Sequence, residues 1–308
     1  MSNPIRFLRR LAMPLPELIE DHREQRKAWF ESGEPFHGVT LRRVLHPALI
    51  GGMRLLHVLH HQTVTVIGDA RIPTGRPRIY AATHIGWDDI EMILSAIGDH
   101  AYLFWGSPKD NYKNIVGVLL GLNGTIICET LHKEDRHISE ETSVRWLSQG
   151  GNLLIFPEGA WNVQENPPVM PLYTGTAEMA LRSGAEIIPL AIEQYGRDFV
   201  INIGQNLRPE GHDKQTLTAA LRDAMATLRW EIWAQKPVTA RRSLPADCAA
   251  QYLRGFEAQF QNDCYSLNDI EMTRYHTRAE REQQDAFAHL NALIPRRENA
   301  FLLNKRLS

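Results

Sequence analysis

Hydrophobic and polar positions change their period twice along the chain, and the changes divide it into three stretches. Residues 16–32 (PELIEDHREQRKAWFES) have a helical pattern, with a proline near the start and Gly33 as a stop signal. After the turn-like GEPFHG, a second helix is expected to open at Pro47 and run to about His61. Arg54, His57 and His61 fall along one of its faces, and Leu49, Met53, Leu56 and Leu59 fall elsewhere. From 63 to 204 short apolar runs take over: 63–67, 78–83, 101–106, 125–128, 152–156, 186–192 and 199–203, with helical stretches at 88–97, 137–149 and 175–183. Runs that are apolar on both faces and separated by helices predict an α/β fold, a mixed, largely parallel sheet covered by helices. Beyond Leu207 the pattern is helical again. Leu217, Leu221, Ala224, Leu228 and Ile232 form one stripe, Tyr252, Phe256 and Phe260 another, and residues 268–290 read as a charged surface helix. The expected organisation is an N-terminal helical region (1–61), a central α/β domain (62–206) and a C-terminal helical extension (207–308).

Composition narrows the function classes. A chain with 43% hydrophobic and 23% charged residues is that of an ordinary folded protein. Its formal net charge of -2 gives no field that would attract nucleic acid, and no nucleic-acid partner is expected. Cys128, Cys248 and Cys264 lie far apart without metal-ligand spacing and read as small buried thiols in a reducing compartment. His57, His60 and His61 stand together without carboxylate or thiol partners, so they read as a solvated or interfacial helix face, and no metal is assigned. Pro14 and Pro16 interrupt the first apolar run before it reaches the length of a signal peptide, and the longest apolar run, 115–122, is far below a membrane span. A cytoplasmic protein is expected, one that does not cross a membrane but is able to lie on one. Arg6, Arg9 and Arg10, and the apolar helix opening at Pro47, make residues 1–61 the expected contact with the bilayer, peripheral at its cytoplasmic face; the alternative is that this apolar face packs on the central sheet.

Three short stretches carry candidate chemistry. In Thr83-His84-Ile85-Gly86-Trp87-Asp88-Asp89 a histidine ends a strand, and carboxylates follow four and five residues later in the first turn of a helix. A carboxylate at that distance holds an imidazole in one tautomer and makes it a better general base. Phe156-Pro157-Glu158-Gly159 closes the strand NLLIF, where open α/β sheets place their ligands, so the Glu158 carboxylate is expected to be exposed at the sheet's edge. Gly184-Ala185-Glu186-Ile187-Ile188-Pro189-Leu190 ends a helix and begins a strand whose Pro189 suggests an edge or a bulge. Trp161 stands beside these motifs as a candidate pocket wall, whereas Trp105 reads as core.

In this order and at these distances, His-x4-Asp after a strand, a Gly-led strand (Gly124 to Thr130), Phe-Pro-Glu-Gly and a Gly-x-Ile-Ile-Pro strand, residues 63–204 resemble the lysophospholipid and glycerol-3-phosphate acyltransferase superfamily. The resemblance implies His84 as general base and Asp89 as the residue orienting it. Phe156, Pro157, Glu158, Gly159 and Thr130 would line the acceptor site. The acyl donor would be a thioester, acyl-CoA or acyl carrier protein, with no cofactor, and the acceptor a hydroxyl of a lipid-like molecule. By sequence alone Asp88 is an alternative partner for His84; the family's spacing favours Asp89. Two departures stand out. The family's acceptor-phosphate arginine is replaced by Thr130, preceded by the acidic Glu129, and Ala160-Trp161-Asn162 follows Phe-Pro-Glu-Gly without the usual basic residue. Lys133 and Arg136 are near enough in sequence to substitute. A thioesterase using His84 to activate water is the rival enzyme class, although no serine stands in a nucleophile-elbow context. A silent lipid-binding protein of the same fold would have lost His84 or Asp89.

Overall fold

The computed structural model describes residues 10, 12–68, 75–86, 88–164, 168–236, 241–258 and 265–276. Seven strands form one sheet in the order β1-β7-β6-β2-β5-β3-β4: β1 (Thr63–Ile67), β2 (Arg78–Ala82), β3 (Ala101–Gly106), β4 (Thr125–Cys128), β5 (Asn152–Ile155), β6 (Glu186–Tyr195) and β7 (Asp198–Ile203). Every neighbouring pair is parallel except the β6/β7 hairpin. The mixed, largely parallel sheet expected from the doubly apolar strands is the one observed.

The helices, in chain order, are α1 (Leu15–Ser32), α2 (Val39–Leu59), α3 (Asp89–Ile97), α4 (Ile115–Asn123), α5 (Lys133–Ser148), α6 (Gly175–Ser183), α7 (Lys214–Ala234), α8 (Cys248–Ala258) and α9 (Leu267–Thr273). Because side chains alternate across a strand, β2 feeds two cores. Tyr80 and Ala82 join Met92, Ile93 and Ile97 of α3 and Ile50 of α2, while Ile79 and Ala81 join Trp146 and Leu147 of α5, Ala177 and Met179 of α6, and Leu217, Leu221 and Met225 of α7. A sheet buried on both faces requires strands without polar alternation, and β2 is buried at all five positions.

Several expectations are corrected. The first strand is not doubly buried: β1 is an edge strand with Thr63, Thr65 and Val66 exposed. Pro189 lies in neither an edge strand nor a bulge; β6 pairs with β2 on one side and β7 on the other. It is tolerated because β7 ends opposite Leu190, so Pro189 falls just beyond that pairing and needs only to accept, from the N–H of Gly204. The second helix begins at Val39, eight residues before Pro47, which sits inside it on the exposed side. The apolar run 115–122 is α4, with Asn114 accepting from the Gly117 N–H as its N-cap.

In α2 the apolar face is turned outward and does not pack on the sheet, whereas His57, expected on a solvated or interfacial face, is buried. Its buried residues are His46, Ile50 and His57; Arg54 donates to the Ser95 hydroxyl (3.2 Å) and carbonyl (2.8 Å), and His46 Nδ1 meets Asn123 Oδ1 at 2.8 Å. The thin polar stripe thus faces the body of the protein, where burial lowers the pKa of His57, so His57 is not a solvated histidine. Leu41, Val44, Leu55, Leu56, Val58 and Leu59 face outward, beside Val118 and Leu122 of α4. Among the described residues no helix is long and apolar enough to cross a membrane.

After β7 the chain does not leave the body. The stripe expected on α7 packs on the sheet through Leu217, Leu221, Leu228 and Ile232, with Met225 buried in place of the expected Ala224. Of the helix expected over 268–290, the described residues form α9, up to Thr273, with Ile270 buried; residues 277–308, Arg6, Arg9, Trp87, Phe260 and Cys264 lie outside the described residues. Cys128 and Cys248 are buried free thiols, and burial pushes Cys128 up to about 12.

Candidate active site

Parallel pairing sets the C-terminal ends of β2, β5, β3 and β4 side by side, and the motif residues follow those ends: His84 after β2, Phe156 after β5, Ser107 after β3 and Thr130 after β4. Open α/β sheets bind ligands along this edge. His84 and Phe156 follow adjacent strands, and their rings stack at 4.0 Å with 22° between planes.

Asp89 opens α3 and is buried (1% exposed). Its Oδ2 lies 2.7 Å from His84 Nδ1 and also accepts the backbone N–H groups of Ile85 (2.8 Å) and Gly86 (3.2 Å). A helix N-terminus favours a negative charge there. Because a carboxylate only accepts, the geometry assigns the proton to Nδ1 and leaves the lone pair on Nε2, which makes no hydrogen bond among the described residues. Asp88, the alternative partner, accepts instead from Gln62 Nε2 at 2.9 Å. Glu91, one turn into α3, feels burial first and then the charges of Asp88 and Asp89, which together push its carboxyl up to about 7.

Glu158 departs from expectation. It is fully buried, not exposed at the edge. Oε1 accepts the backbone N–H of His84 (3.2 Å) and Oε2 that of Met170 (2.8 Å), so the carboxylate clamps the His84 loop to the segment after Phe-Pro-Glu-Gly. Burial raises its pKa, against the opposing pull of Arg229 on α7 and of the two N–H donors. Arg229 is itself buried against Glu193 (3.2 Å) and the Pro168 carbonyl (2.7 Å). Around the turn, the Gly159 N–H donates to the Phe156 carbonyl (3.0 Å) and that of Tyr173 to the Pro157 carbonyl (2.9 Å). Gly159 is required twice over: φ is +73°, and an added Cβ would lie 2.4 Å from the Tyr173 ring.

Thr130 lies at the neighbouring strand end, its hydroxyl 3.2 Å from the Ser107 hydroxyl. Glu129 is turned inward and buried, accepting from Tyr112 (2.8 Å). Arg136, in the first turn of α5, donates to the Thr130 carbonyl at 2.6 Å and forms no ion pair among the described residues. Sequence reasoning did not find Ser107 or Tyr173, for which only the Ser-Pro after a strand and a tyrosine after a loop proline were visible. Trp161 does wall the site, 5.6 Å from His84, and Trp105 is half-buried against the core.

Comparison with known proteins agrees with this geometry. Residues 63–193 match the family model described as Acyltransferase. A search of curated protein sequences gives no significant match. Among solved structures, the chain is similar to the 1-acyl-sn-glycerophosphate (LPA) acyltransferase PlsC from Thermotoga maritima, with a TM-score of 0.54 and 16% identity over 68% of this chain and 88% of that one. At that identity the likeness is one of fold.

Proposed function

Since residues 63–193 form a domain of the acyltransferase family, we propose that this protein moves a fatty acyl group from acyl-CoA or acyl carrier protein to a hydroxyl of a lipid-like acceptor, with His84 as general base. The observation that carries the reading is the His84–Asp89 pair at 2.7 Å with Nε2 left open. In the reaction the acceptor O–H gives its proton to Nε2 while its oxygen attacks the thioester carbonyl; the C–O bond forms, the C–S bond breaks, and the proton passes to the departing thiolate. Asp89 orients the ring and stabilises the imidazolium. Glu158 acts one step back by fixing the His84 backbone. The Thr130 hydroxyl, lacking a charge, suits an acceptor without a phosphate monoester.

The outward apolar face of α2 and α4 suits work at a bilayer, and we place the protein peripherally on the cytoplasmic leaflet. Each leucine moved from water to lipid contributes ~1.5 to 3 kcal/mol. The test of the transfer reading is thioester consumption by the purified protein with and without a monoacylglycerol acceptor. Acceptor-dependent thiol release matched by diacylglycerol supports it; equal release without acceptor would make the protein a thioesterase.

A further inference from the structure

The C-terminal segment beyond α7 closes over the candidate site from outside the matched family domain, which ends at residue 193. Phe256 of α8 and Ile270 of α9 are buried against Ala160, which follows the Phe-Pro-Glu-Gly turn, and Met170, whose N–H donates to Glu158, with Trp161, Val163, Tyr252, Tyr265 and Leu267 packed around them. Trp161 stands between the base and this segment: its ring is 5.6 Å from His84 on one side, and 5.9 Å from Phe256 and 5.7 Å from Tyr265 on the other.

Three polar contacts fasten the segment to opposite sides of the opening. Tyr173, whose ring covers Gly159, donates to the Thr273 carbonyl at 2.8 Å. On the β3 side, Tyr265 donates to the Ser107 carbonyl at 2.6 Å, Lys109 pairs with Asp269 at 2.7 Å, and the same ammonium lies 4.8 Å from the Tyr265 ring centroid. Ser107 and Lys109 both have positive φ, +40° and +45°. Non-glycine residues held there store strain that surrounding contacts must maintain. The Ser107 hydroxyl in turn touches Thr130, so the strained loop, the tyrosine and the acceptor position form one connected unit.

We infer that residues 265–275 are the acceptor-side wall of the active site and that Tyr265 determines specificity by limiting the bulk of the acceptor's head group. The inference rests on the transferase reading. Fastened at its hydroxyl and flanked by Trp161 and Lys109, the ring cannot swing aside without breaking a hydrogen bond and exposing apolar surface. The substrate class it admits is an uncharged, single-chain lipid with a small hydroxyl-bearing head, such as a monoacylglycerol, in preference to one carrying a sugar on that head.

The test compares two uncharged acceptors differing only in head size, a monoacylglycerol and its glycosylated counterpart, with one acyl-CoA donor. Tyr265→Ala is expected to raise the kcat/KM ratio for the bulky over the small acceptor by at least about tenfold, within the range that pocket size alone controls. The donor KM should stay constant. Tyr265→Phe keeps the ring's bulk and loses only its hydroxyl tether, so it should shift the ratio by clearly less than Tyr265→Ala, and Tyr265→Leu, which retains apolar packing on Trp161, should shift it in the same direction as Ala if the Ala variant fails to fold. An unchanged ratio in a folded Ala or Leu variant that still transfers, or an equal shift in Tyr265→Phe, would overturn this inference alone. No transfer to either acceptor by the unaltered protein would overturn the transferase reading and this inference with it.

Discussion

At the scale of single residues, the account assigns different consequences to carboxylates that sequence alone could not separate. Asp89→Asn keeps the fold but loses the charge beside His84, so kcat should fall, by less than for loss of the base itself; Asp88→Asn, at a residue occupied with Gln62, should have little effect. Steady-state kinetics of the two variants decides, and the reverse order would reassign the dyad. Glu91 gives a prediction in pH. Its folded carboxyl is raised to about 7, above its ordinary 4.5, so the fold holds the proton more tightly than the unfolded chain does. Its stabilising contribution is complete below pH ~4.5 and is lost as pH rises through ~7. Thermal melts of Glu91→Gln should therefore lose less stability than the unaltered protein between pH 5 and pH 8; parallel curves would remove the burial argument. At Thr130, an introduced arginine supplies one charged hydrogen bond, ~1.5 to 3 kcal/mol, and Thr130→Arg should raise kcat/KM on lysophosphatidic acid by roughly tenfold. If the unaltered protein already prefers lysophosphatidic acid and Arg136→Ala abolishes that preference, the guanidinium beside the Thr130 carbonyl has taken over the role.

Among the elements, the strands were legible because a sheet covered on both faces leaves short, doubly apolar runs, as in β2, β3 and β5. Apart from the exposed edge strand β1 and the interior Pro189, the errors fell in the helices, each for a physical reason. Pro47 reads as a helix start, yet α2 carries it on an exposed turn where no core contact depends on it. The run 115–122 has no polar face, so periodicity gave no signal for α4. For α2, a pattern of apolar residues with a thin polar stripe does not say which side faces the protein; hydrogen bonds from Arg54 and His46 to α3 and α4 turn the stripe inward. Deleting residues 1–61 would thus remove Ile50 and uncover the core it covers, and is a poor test of membrane docking. Leu55→Glu with Val58→Glu changes only exposed positions. The pair should reduce flotation with anionic liposomes at least about tenfold while leaving the circular dichroism spectrum unchanged; undiminished flotation would place the contact elsewhere.

For the molecule as a whole, the three-part division read from the sequence is less sharp in space than along the chain. The central motifs His84, Asp89 and Phe156 to Gly159 were legible because each follows a strand whose neighbours parallel pairing brings together. The N-terminal helices instead brace the sheet edge, where Arg26 of α1 reaches Asp135 at 2.7 Å, and α7 contributes Arg229 beneath Glu158. The closing of residues 265–276 over the site was invisible because its contacts, such as Tyr265 to Ser107, join residues 158 positions apart and follow no local period. All of these parts converge on one imidazole. The most direct measurement is the initial rate of acyl transfer from acyl-CoA to monoacylglycerol by the purified protein and by His84→Ala, with folding of both checked by thermal melts. The account predicts a loss of ~100 to 10,000-fold in kcat with an unchanged melting temperature; a folded His84→Ala protein that transfers at the unaltered rate would contradict it.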